Sequence, residues 1–145
     1  MSVLVEILHS ATLVHDDVVD NSTTRRSVPT INVVWQNKAA VLVGDFLLAT
    51  ALINATTLQK IDIIEILSYA TRRMSQGEIL QIETSKNMEL EEELYLQIVS
   101  DKTAALFSAS CELGAVVNDG TDEERTGLRQ FGEYSGMVFQ IQDDL

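Results

Sequence analysis

Two short acidic stretches have the residue types and spacing of a metal site. The first is HDDVVD at residues 15–20, and the second is QIQDDL at residues 140–145. Asp16 and Asp20 are four positions apart, so on a helix they share one face with Cβ atoms ~5–6 Å apart. Carboxylates that close repel each other, and a divalent cation turns the repulsion into attraction. Oxygen-only ligands favour Mg²⁺, with Mn²⁺ as the alternative.

An arginine pair, Arg25-Arg26, follows shortly after the first acidic stretch. Guanidinium groups donate paired hydrogen bonds that match the oxygens of phosphate. An apolar run precedes each Asp pair, at residues 11–14 and again before Asp143-Asp144. This pattern favours carboxylates at the ends of buried helices over a solvated acidic face. Carboxylates that hold metal beside arginines that hold phosphate predict a site for a diphosphate.

The same residues leave two other metal chemistries open. Glu6 and His9 have the Glu-x-x-His spacing of di-iron bundles, which need a second such motif. The other histidine, His15, has Thr12 and not a glutamate three residues before it. The pair His15-Asp16 suggests a metal phosphohydrolase, whose site needs further histidines. The sequence contains no EF-hand spacing. Both histidines are therefore expected to be structural, one of them beside the metals.

The composition is that of an acidic, helical protein. The 145 residues carry a net charge of −12, and 46% of them are hydrophobic. The acidic excess disfavours nucleic acid and anionic membrane surfaces as partners. A single cysteine, Cys111, fits a reducing compartment. The longest apolar run, residues 39–53, is broken by Asp45 and is shorter than the ~20 residues that span a bilayer. We expect a cytoplasmic protein without stable membrane insertion.

Apolar residues recur at three- and four-residue steps nearly throughout, which predicts helices and no strands. The predicted helices cover residues 3–20, 33–58, 62–85, 91–117 (with an irregularity at 100–102) and 121 onwards. A polar loop is predicted at residues 85–89. Pro29 enforces the break after the first helix, and Thr121 with Glu124 predicts a capping box. Both ends of the sequence lie inside helical pattern. We therefore expect a single domain, residues 1–145, that is the interior fragment of a larger all-α bundle.

Six motifs, in order, carry a resemblance to a known family. They are EILHSATLVHDDVVD, RRSVP, VLVGDFLLATA, GEILQ, SDKTAALF and FGEYSGMVFQIQDDL. Through them the chain resembles the trans-isoprenyl diphosphate synthases, most of all the long-chain, octaprenyl type. The resemblance implies an isoprenoid-synthase helical bundle around a central cleft, usually as a homodimer. It also implies a prenyltransferase that adds isopentenyl diphosphate to an allylic primer such as farnesyl diphosphate, by Mg²⁺-assisted ionisation, condensation and proton loss.

The resemblance assigns roles to the carboxylates. Asp16 and Asp20 would bind Mg²⁺ on the allylic diphosphate, with Asp17 in support. Asp143 would hold a further Mg²⁺, with Asp144 beside it.

The resemblance also assigns roles to residues that contact substrate. Arg25 would bind the allylic diphosphate, and Arg26 the isopentenyl diphosphate. The cleft around the reacting diphosphate would be lined by Lys102, Thr103, Gln140 and Gln81.

Product length is expected to depend on the turn before the first acidic stretch. Ala11 and Thr12 lie five and four residues before Asp16, where the growing tail would pass, and both are small. Short-chain relatives carry bulky aromatics here, so the resemblance implies a long product and predicts that Ala11→Phe shortens it. Candidates for the pocket floor are Ile66, Tyr69, Ala70 and Met74.

Three departures from the family pattern affect this interpretation. Ser27 stands where the family usually has glycine after the arginine pair. The second acidic motif should continue to a third aspartate beyond Leu145, and a Gly-Lys-Arg segment should precede Met1. We therefore expect this chain alone to be inactive. Two alternatives stay open: a non-catalytic subunit of a heteromeric prenyl synthase, and a terpene cyclase, whose second metal motif normally uses Asn, Ser and Glu.

Overall fold

The computed structural model describes residues 1–85 and 91–145, which form helices and one short hairpin. The elements in chain order are α1 (Ser2–Val19), β1 (Thr24–Arg25), β2 (Val28–Pro29), α2 (Ile31–Thr57), α3 (Ile61–Thr84), α4 (Glu92–Val99), a π-helical turn (Ser100–Ala104), α5 (Ala105–Val117) and α6 (Asp122–Asp143).

These elements confirm the all-α prediction, and the irregularity predicted at residues 100–102 is the π-helical turn. The two-residue strands are an exception to the strand-free prediction. The predicted loop at residues 85–89 lies, after Ser85, outside the described residues. The last helix was expected to continue through Leu145, but α6 ends at Asp143.

The described chain divides into two compact units, Ser2–Gln59 and, together with Met1, Lys60–Leu145. They are called the N-terminal unit and the C-terminal unit below. The single domain expected from the sequence remains a prediction.

The N-terminal unit is built on the packing of α1 against α2. Leu4, Leu8 and Ala11 form the buried stripe of α1 at four- and three-residue steps, as helical periodicity requires. The buried residues of α2 are small, namely Ala40, Gly44, Ala51 and Ala55. A Cβ atom at Gly44 would clash with the ring of His15. Close approach of the two helices therefore depends on small residues.

Helix α2 keeps much of its apolar surface exposed. Leu42, Phe46 and Ile53 are 68%, 70% and 65% exposed. In residues 1–85 and 91–145, α2 is the one helix whose length and apolar composition would suffice to cross a bilayer. Core helices of soluble proteins meet the same two criteria. The expected absence of membrane insertion therefore stays a prediction.

An unusual backbone conformation occurs in the second turn of α2. Gln36 has φ 70° and ψ 161°, which separates the residues before it from the regular helix after it. This region of φ/ψ space is populated almost only by glycine, because a Cβ atom is crowded there, and other residues pay about 1–3 kcal/mol. The Gln36 side chain is exposed.

We expect Gln36→Gly to raise the free energy of unfolding of the full-length protein by about 1 kcal/mol, because relief of backbone strain exceeds the added entropy of the unfolded chain. Urea unfolding measures the change. Asn54→Gly is the matched control, since Asn54 is exposed within the regular part of α2. It should lower stability by about 0.5 kcal/mol. Equal destabilisation by both variants would contradict strain at Gln36.

The C-terminal unit packs α3, the α4–α5 segment and α6 around an alanine-rich core. Its buried apolar residues are Ile63, Leu67, Ala70, Ile98, Val99, Ala104, Ala105, Ala109, Leu113, Ala115 and Val116. Helix α6 begins with the predicted capping box: the Thr121 N–H donates to Glu124 Oε2 at 2.8 Å, and the Glu124 N–H donates to Thr121 Oγ1 at 3.2 Å. A Cβ atom at Gly132 would lie 2.5 Å from the Phe107 carbonyl oxygen. The α5–α6 packing is therefore a backbone-to-backbone contact.

Candidate functional site

The first acidic stretch forms the last turn of α1 in the N-terminal unit. The Asp20 N–H donates to the Asp16 carbonyl at 2.8 Å, so the two residues are one helical turn apart and share a face. Asp16 is half-buried and Asp20 exposed. Within residues 1–85 and 91–145, no three Asp, Glu, His or Cys side chains converge on a preformed metal cage. Two carboxylates on one face nevertheless fit Mg²⁺, which usually takes one or two from the protein and completes its shell with phosphate and water.

Asp17 lies on a different face of α1 from Asp16 and Asp20. It is 6% exposed, and its Oδ1 accepts hydrogen bonds from Arg25 Nε and Nη2 at 3.1 and 2.9 Å. The resemblance implied that Asp17 supports the metal-binding carboxylates and that Arg25 binds the allylic diphosphate. In the structure the two residues form an ion pair, so Asp17 holds Arg25 near the end of α1.

The loop after α1 is fastened by two side chains that sequence reasoning did not select. Thr30 Oγ1 donates to the Ser22 carbonyl at 2.8 Å, and Asn32 Nδ2 donates to the same oxygen at 3.0 Å. Asn32 Nδ2 also lies 3.3 Å from the Asp17 carbonyl. These bonds return the chain to the end of α1, which brings Arg25 to Asp17.

The arginine pair lies in the β1–β2 hairpin. Arg25 pairs with Val28 across the ladder, and the two residues between them, Arg26 and Ser27, have φ of 50° and 65°. Positive φ at both positions is typical of a type I′ turn, which favours glycine at the second. Ser27 therefore occupies the family's glycine position in a conformation that glycine adopts more readily. Arg26 is exposed at this turn.

Of the two histidines expected to be structural, His15 has side-chain contacts with α2, whereas the contact at His9 is made by its backbone. His15 Nε2 lies 3.2 Å from the Val41 carbonyl and 3.3 Å from Asp45 Oδ1. Asp45 is 61% exposed at its side chain. The His9 carbonyl accepts a hydrogen bond from Thr12 Oγ1 at 2.8 Å.

Ala11 and Thr12 differ in their surroundings. Ala11 is 2% exposed and continues the buried stripe of Leu4 and Leu8. Thr12 is half-buried and stands one turn before Asp16, on the same face as that carboxylate. Of the two residues expected to meet the growing tail, Thr12 is the one aligned with the acidic face.

The C-terminal unit gathers five of the predicted site residues around one pocket of about 420 Å³. They are Gln81 from α3, Lys102 and Thr103 from the π-helical turn, and Gln140 and Asp144 from the end of α6. These residues come from three separate helical segments. The placement of each at the same pocket is what a common role in substrate binding requires.

Hydrogen bonds join these side chains in pairs. Lys102 Nζ donates to Gln81 Oε1 at 2.9 Å, and Thr103 Oγ1 donates to Gln140 Oε1 at 2.9 Å. Lys102 Nζ also lies 2.6 Å from Glu78 Oε2, whose side chain is 12% exposed. In the part of the chain that the structure describes, this oxygen has no well-aligned hydrogen-bond donor. Lys102 is therefore held by a short ionic contact with Glu78.

The second acidic stretch is divided between two environments. Asp144 accepts hydrogen bonds from the Tyr95 hydroxyl at 2.7 Å and from Gln140 Nε2 at 2.8 Å. The bond to Asp144 raises the pKa of Tyr95. Asp143, the last residue of α6, is exposed. Both carboxylates are exposed, and Asp144 is held in place by Tyr95 and Gln140.

Sequence reasoning missed Glu78 and Tyr95. Glu78 lies within the GEILQ motif, three residues before Gln81, so helical spacing places the two side chains on one face. That spacing was a usable signal. Tyr95 reaches Asp144 across 49 residues, and nothing in the local sequence indicates that contact.

The π-helical turn approaches α3 closely at Gly77. A Cβ atom there would lie 2.7 Å from the Lys102 backbone nitrogen, so the close approach requires glycine. Single π turns inside α-helices are frequent at functional sites. Here the turn carries both Lys102 and Thr103.

A larger cavity of about 740 Å³ lies elsewhere in the C-terminal unit. Three of the candidate floor residues, Ile66, Tyr69 and Ala70, line it, whereas Met74 does not. Seven charged side chains share the lining, namely Glu65, Arg72, Arg73, Glu112, Arg125, Arg129 and Glu133. A lining with that many charges does not suit a hydrocarbon tail.

Comparison with known proteins identifies the family of the chain. The family model described as Polyprenyl synthetase matches residues 1–145. The octaprenyl diphosphate synthase of Escherichia coli (strain K12) is 39% identical over the whole chain, which covers 45% of that protein. An all-trans-nonaprenyl-diphosphate synthase (geranyl-diphosphate specific) of Rhodobacter capsulatus is 43% identical, with 44% of that protein covered.

Two further relatives bear on assembly and ligands. The heptaprenyl diphosphate synthase component 2 of Bacillus subtilis (strain 168) is 39% identical over the chain, which covers 42% of that protein. A polyprenyl synthase from Caulobacter crescentus CB15, complexed with calcium and isoprenyl diphosphate, has a TM-score of 0.95 and 40% identity over 97% of this chain and 43% of that one. The chain spans less than half the length of each of these relatives. Because the family model matches every residue and the fold agrees, the chain belongs to the polyprenyl synthetase family.

Proposed function

We propose that the full-length protein is a prenyltransferase that adds isopentenyl diphosphate units to an allylic diphosphate primer and makes a long-chain all-trans polyprenyl diphosphate. The observation that carries this proposal is the pocket where Gln81, Lys102, Thr103, Gln140 and Asp144 meet. The names of the octaprenyl and nonaprenyl relatives support a long product.

Divalent cations, of which Mg²⁺ fits the carboxylates best, would neutralise the diphosphate as it leaves the allylic carbon. Asp16 and Asp20 would hold them in the N-terminal unit, and Asp143 in the C-terminal unit. The calcium in the structure of the Caulobacter crescentus relative supports a divalent cation at such a site.

The chain's own donors would bind and orient the diphosphates. Arg25 donates to Asp17 through Nε and Nη2, so Nη1 remains to meet phosphate oxygen. Arg26 is exposed beside it. Lys102 would transfer from Glu78 to a phosphate oxygen, and such fixed charges stabilise negative charge that develops in the transition state.

The condensation would form one carbon–carbon bond between the allylic carbon and isopentenyl diphosphate. The allylic carbon–oxygen bond breaks, and its electron pair leaves with the diphosphate. Loss of a proton from the condensed product restores its double bond, and the released diphosphate is a suitable acceptor. The side-chain amide oxygens of Gln81 and Gln140 accept hydrogen bonds from Lys102 and Thr103. They would hold the ammonium group of Lys102 and the hydroxyl group of Thr103 in position.

A direct assay tests the proposal. The full-length protein, from the longest reading frame that contains this sequence, is incubated with Mg²⁺, labelled isopentenyl diphosphate and farnesyl diphosphate, and the products are sized. Long polyprenyl diphosphates that disappear on chelation are the expected result. Absence of product from folded protein, with and without candidate partner subunits, would overturn it.

A second candidate is a subunit of a heteromeric synthase. The name of the Bacillus subtilis relative, a synthase component 2, favours this candidate. Activity that appears only after a second subunit is added would support it. Activity of the purified homo-oligomer would exclude it and would support the homodimer that we propose. We also propose a cytoplasmic location, which fractionation of cells would test.

Product length should respond to Thr12. We expect Thr12→Phe to shorten the main product by one or more isoprene units, because the aromatic ring would stand one turn below Asp16 where the tail must pass. Sizing the products from the same labelled assay measures the change. Ala11→Phe is less informative, since Ala11 is 2% exposed and overpacking there costs about 1–3 kcal/mol. An unchanged product from Thr12→Phe would contradict this path for the tail.

A further inference from the structure

The π-helical turn is held from one side by a single arginine of α3, Arg73. Its Nε donates to Asp101 Oδ1 at 2.7 Å. Its Nη2 donates to the Ser100 carbonyl at 3.1 Å and to Ser100 Oγ at 2.7 Å. Both residues belong to the turn that presents Lys102 and Thr103. Arg73 therefore contacts the turn at two consecutive positions through side chain and backbone.

The same guanidinium joins the turn to α6. Arg73 Nη1 and Nη2 donate to the two carboxylate oxygens of Glu133 at 2.8 and 2.7 Å. Ser100 Oγ completes the ring by donating to Glu133 Oε1 at 2.6 Å. We call Arg73, Ser100, Asp101 and Glu133 the arginine cluster.

The arginine cluster is well shielded from water. The side chains of Arg73, Asp101 and Glu133 are 17%, 19% and 23% exposed. The hydrogen bond with Glu133 raises the pKa of Arg73 against the opposing effect of burial. Burial alone would raise the pKa of Glu133, but the bonds from Arg73 and Ser100 outweigh it and lower that pKa. Both shifts favour the charged forms of Arg73 and Glu133, and the paired hydrogen bonds between them are a geometry that lysine cannot reproduce.

The π-helical turn needs such external contacts. Its hydrogen-bond pattern is rare compared with the α-helix, and reversion to regular helix would rotate the following side chains by roughly 100° per residue gained or lost. Lys102 and Thr103 would then leave Gln81 and Gln140, their present partners.

We propose that Arg73 is a positioning residue that maintains the π-helical turn and thereby directs Lys102 and Thr103 into the pocket. Arg73 is not itself among the residues that line that pocket. The expected effect of Arg73 on catalysis rests on the proposed function. Its expected effect on the π-helical turn does not.

The chain offers a matched control in Arg125. Its Nη1 donates to Asp62 Oδ2 at 2.8 Å and its Nη2 to Glu112 Oε1 at 3.4 Å. Like Arg73, it joins three helices of the C-terminal unit through two carboxylates, but none of its partners belongs to the π-helical turn. Arg73→Met and Arg125→Met therefore each leave two carboxylates without their arginine.

The first measurement is hydrogen–deuterium exchange on the full-length protein. Arg73→Met is expected to speed exchange in the peptide that covers Ser100–Ala104 at least tenfold, whereas Arg125→Met leaves that peptide unchanged. This result is independent of any enzymatic activity. Equal exchange in wild type and Arg73→Met would overturn the proposal. Should Arg73→Met fail to fold, Arg73→Lys takes its place, with a smaller acceleration expected.

The second measurement is steady-state kinetics on the same variants. Arg73→Met should lower kcat/KM for isopentenyl diphosphate by about 10- to 100-fold, because small misplacements of binding groups have effects of that size. Arg125→Met should change it less than about twofold at a similar loss in Tm, and Arg73→Lys should fall between them. Equal losses of kcat/KM in Arg73→Met and Arg125→Met would show that Arg73 has only a general structural role and would overturn the proposal.

The two measurements separate the inference from the proposed function. A wild-type protein that makes no polyprenyl diphosphate contradicts the proposed function, and the exchange result still decides the role of Arg73. An active wild type with unchanged exchange and kinetics in Arg73→Met contradicts the inference alone.

Discussion

Asp16→Asn is expected to lower kcat of the full-length protein by roughly 10³-fold, since removal of one group that stabilises transition-state charge typically has effects near this size. Asp16 lies one helical turn before Asp20 at the end of α1, and the proposed reaction needs both carboxylates to hold a divalent cation against the allylic diphosphate. Asparagine keeps the shape of the side chain and removes its charge. Initial rates with saturating substrates and varied Mg²⁺ measure the effect, and the concentration of Mg²⁺ at half-maximal rate should rise.

Glu6→Gln is the control for this prediction. Glu6 is an exposed carboxylate on the same helix, so its replacement removes the same charge without touching the acidic face. We expect its kcat to stay within about twofold of wild type. A similar loss in both variants would indicate a general effect of charge. A fully active Asp16→Asn would remove Asp16 from the proposed metal site.

Gly132→Ala is expected to destabilise the C-terminal unit by about 3 kcal/mol, at the upper end of overpacking effects. The added Cβ atom would lie 2.5 Å from the Phe107 carbonyl oxygen and 2.8 Å from Ser108 Cα. These are backbone atoms of α5, so no side-chain rotation can relieve the contact and the two helices must separate. Denaturant unfolding followed by circular dichroism measures the loss.

Gly127→Ala tests whether the destabilisation by Gly132→Ala comes from the crowded position of Gly132 and not from the loss of a glycine as such. Gly127 belongs to the same helix, and a Cβ atom there would meet nothing within 4 Å. Alanine should therefore raise stability by about 0.5–1 kcal/mol, through its better helix propensity. If both variants were equally stable, the close approach of α5 and α6 would not limit stability.

The helices, and several of their ends, could be predicted because their causes are local. Apolar residues at three- and four-residue steps indicate a buried helix face wherever they occur. The interruption of helix before Pro29 follows from the proline itself and needs no distant partner. The capping box of α6 is likewise contained within four consecutive residues, from Thr121 to Glu124. The interruption before Thr103 was also predicted, although not its π-helical form.

Part of the candidate site was expected from the resemblance to a known family. That resemblance implied roles for Lys102, Thr103, Gln81, Gln140 and Asp144, and the fold places all five around one pocket. Helical spacing alone put Asp16 and Asp20 on a common face. These residues were identified by their types and positions, without knowledge of the contacts between them.

The tertiary structure decided the contacts between residues that lie far apart in sequence. Periodicity could not show that Tyr95 would hold Asp144 or that Arg73 would join the π-helical turn to Glu133, because those contacts span 49 and 60 residues. Nor could it separate buried Ala11 from half-buried Thr12, since both are small and adjacent. Local sequence therefore determined which helices form and which residue types they carry, whereas packing between helices determined which side chains meet and in what geometry.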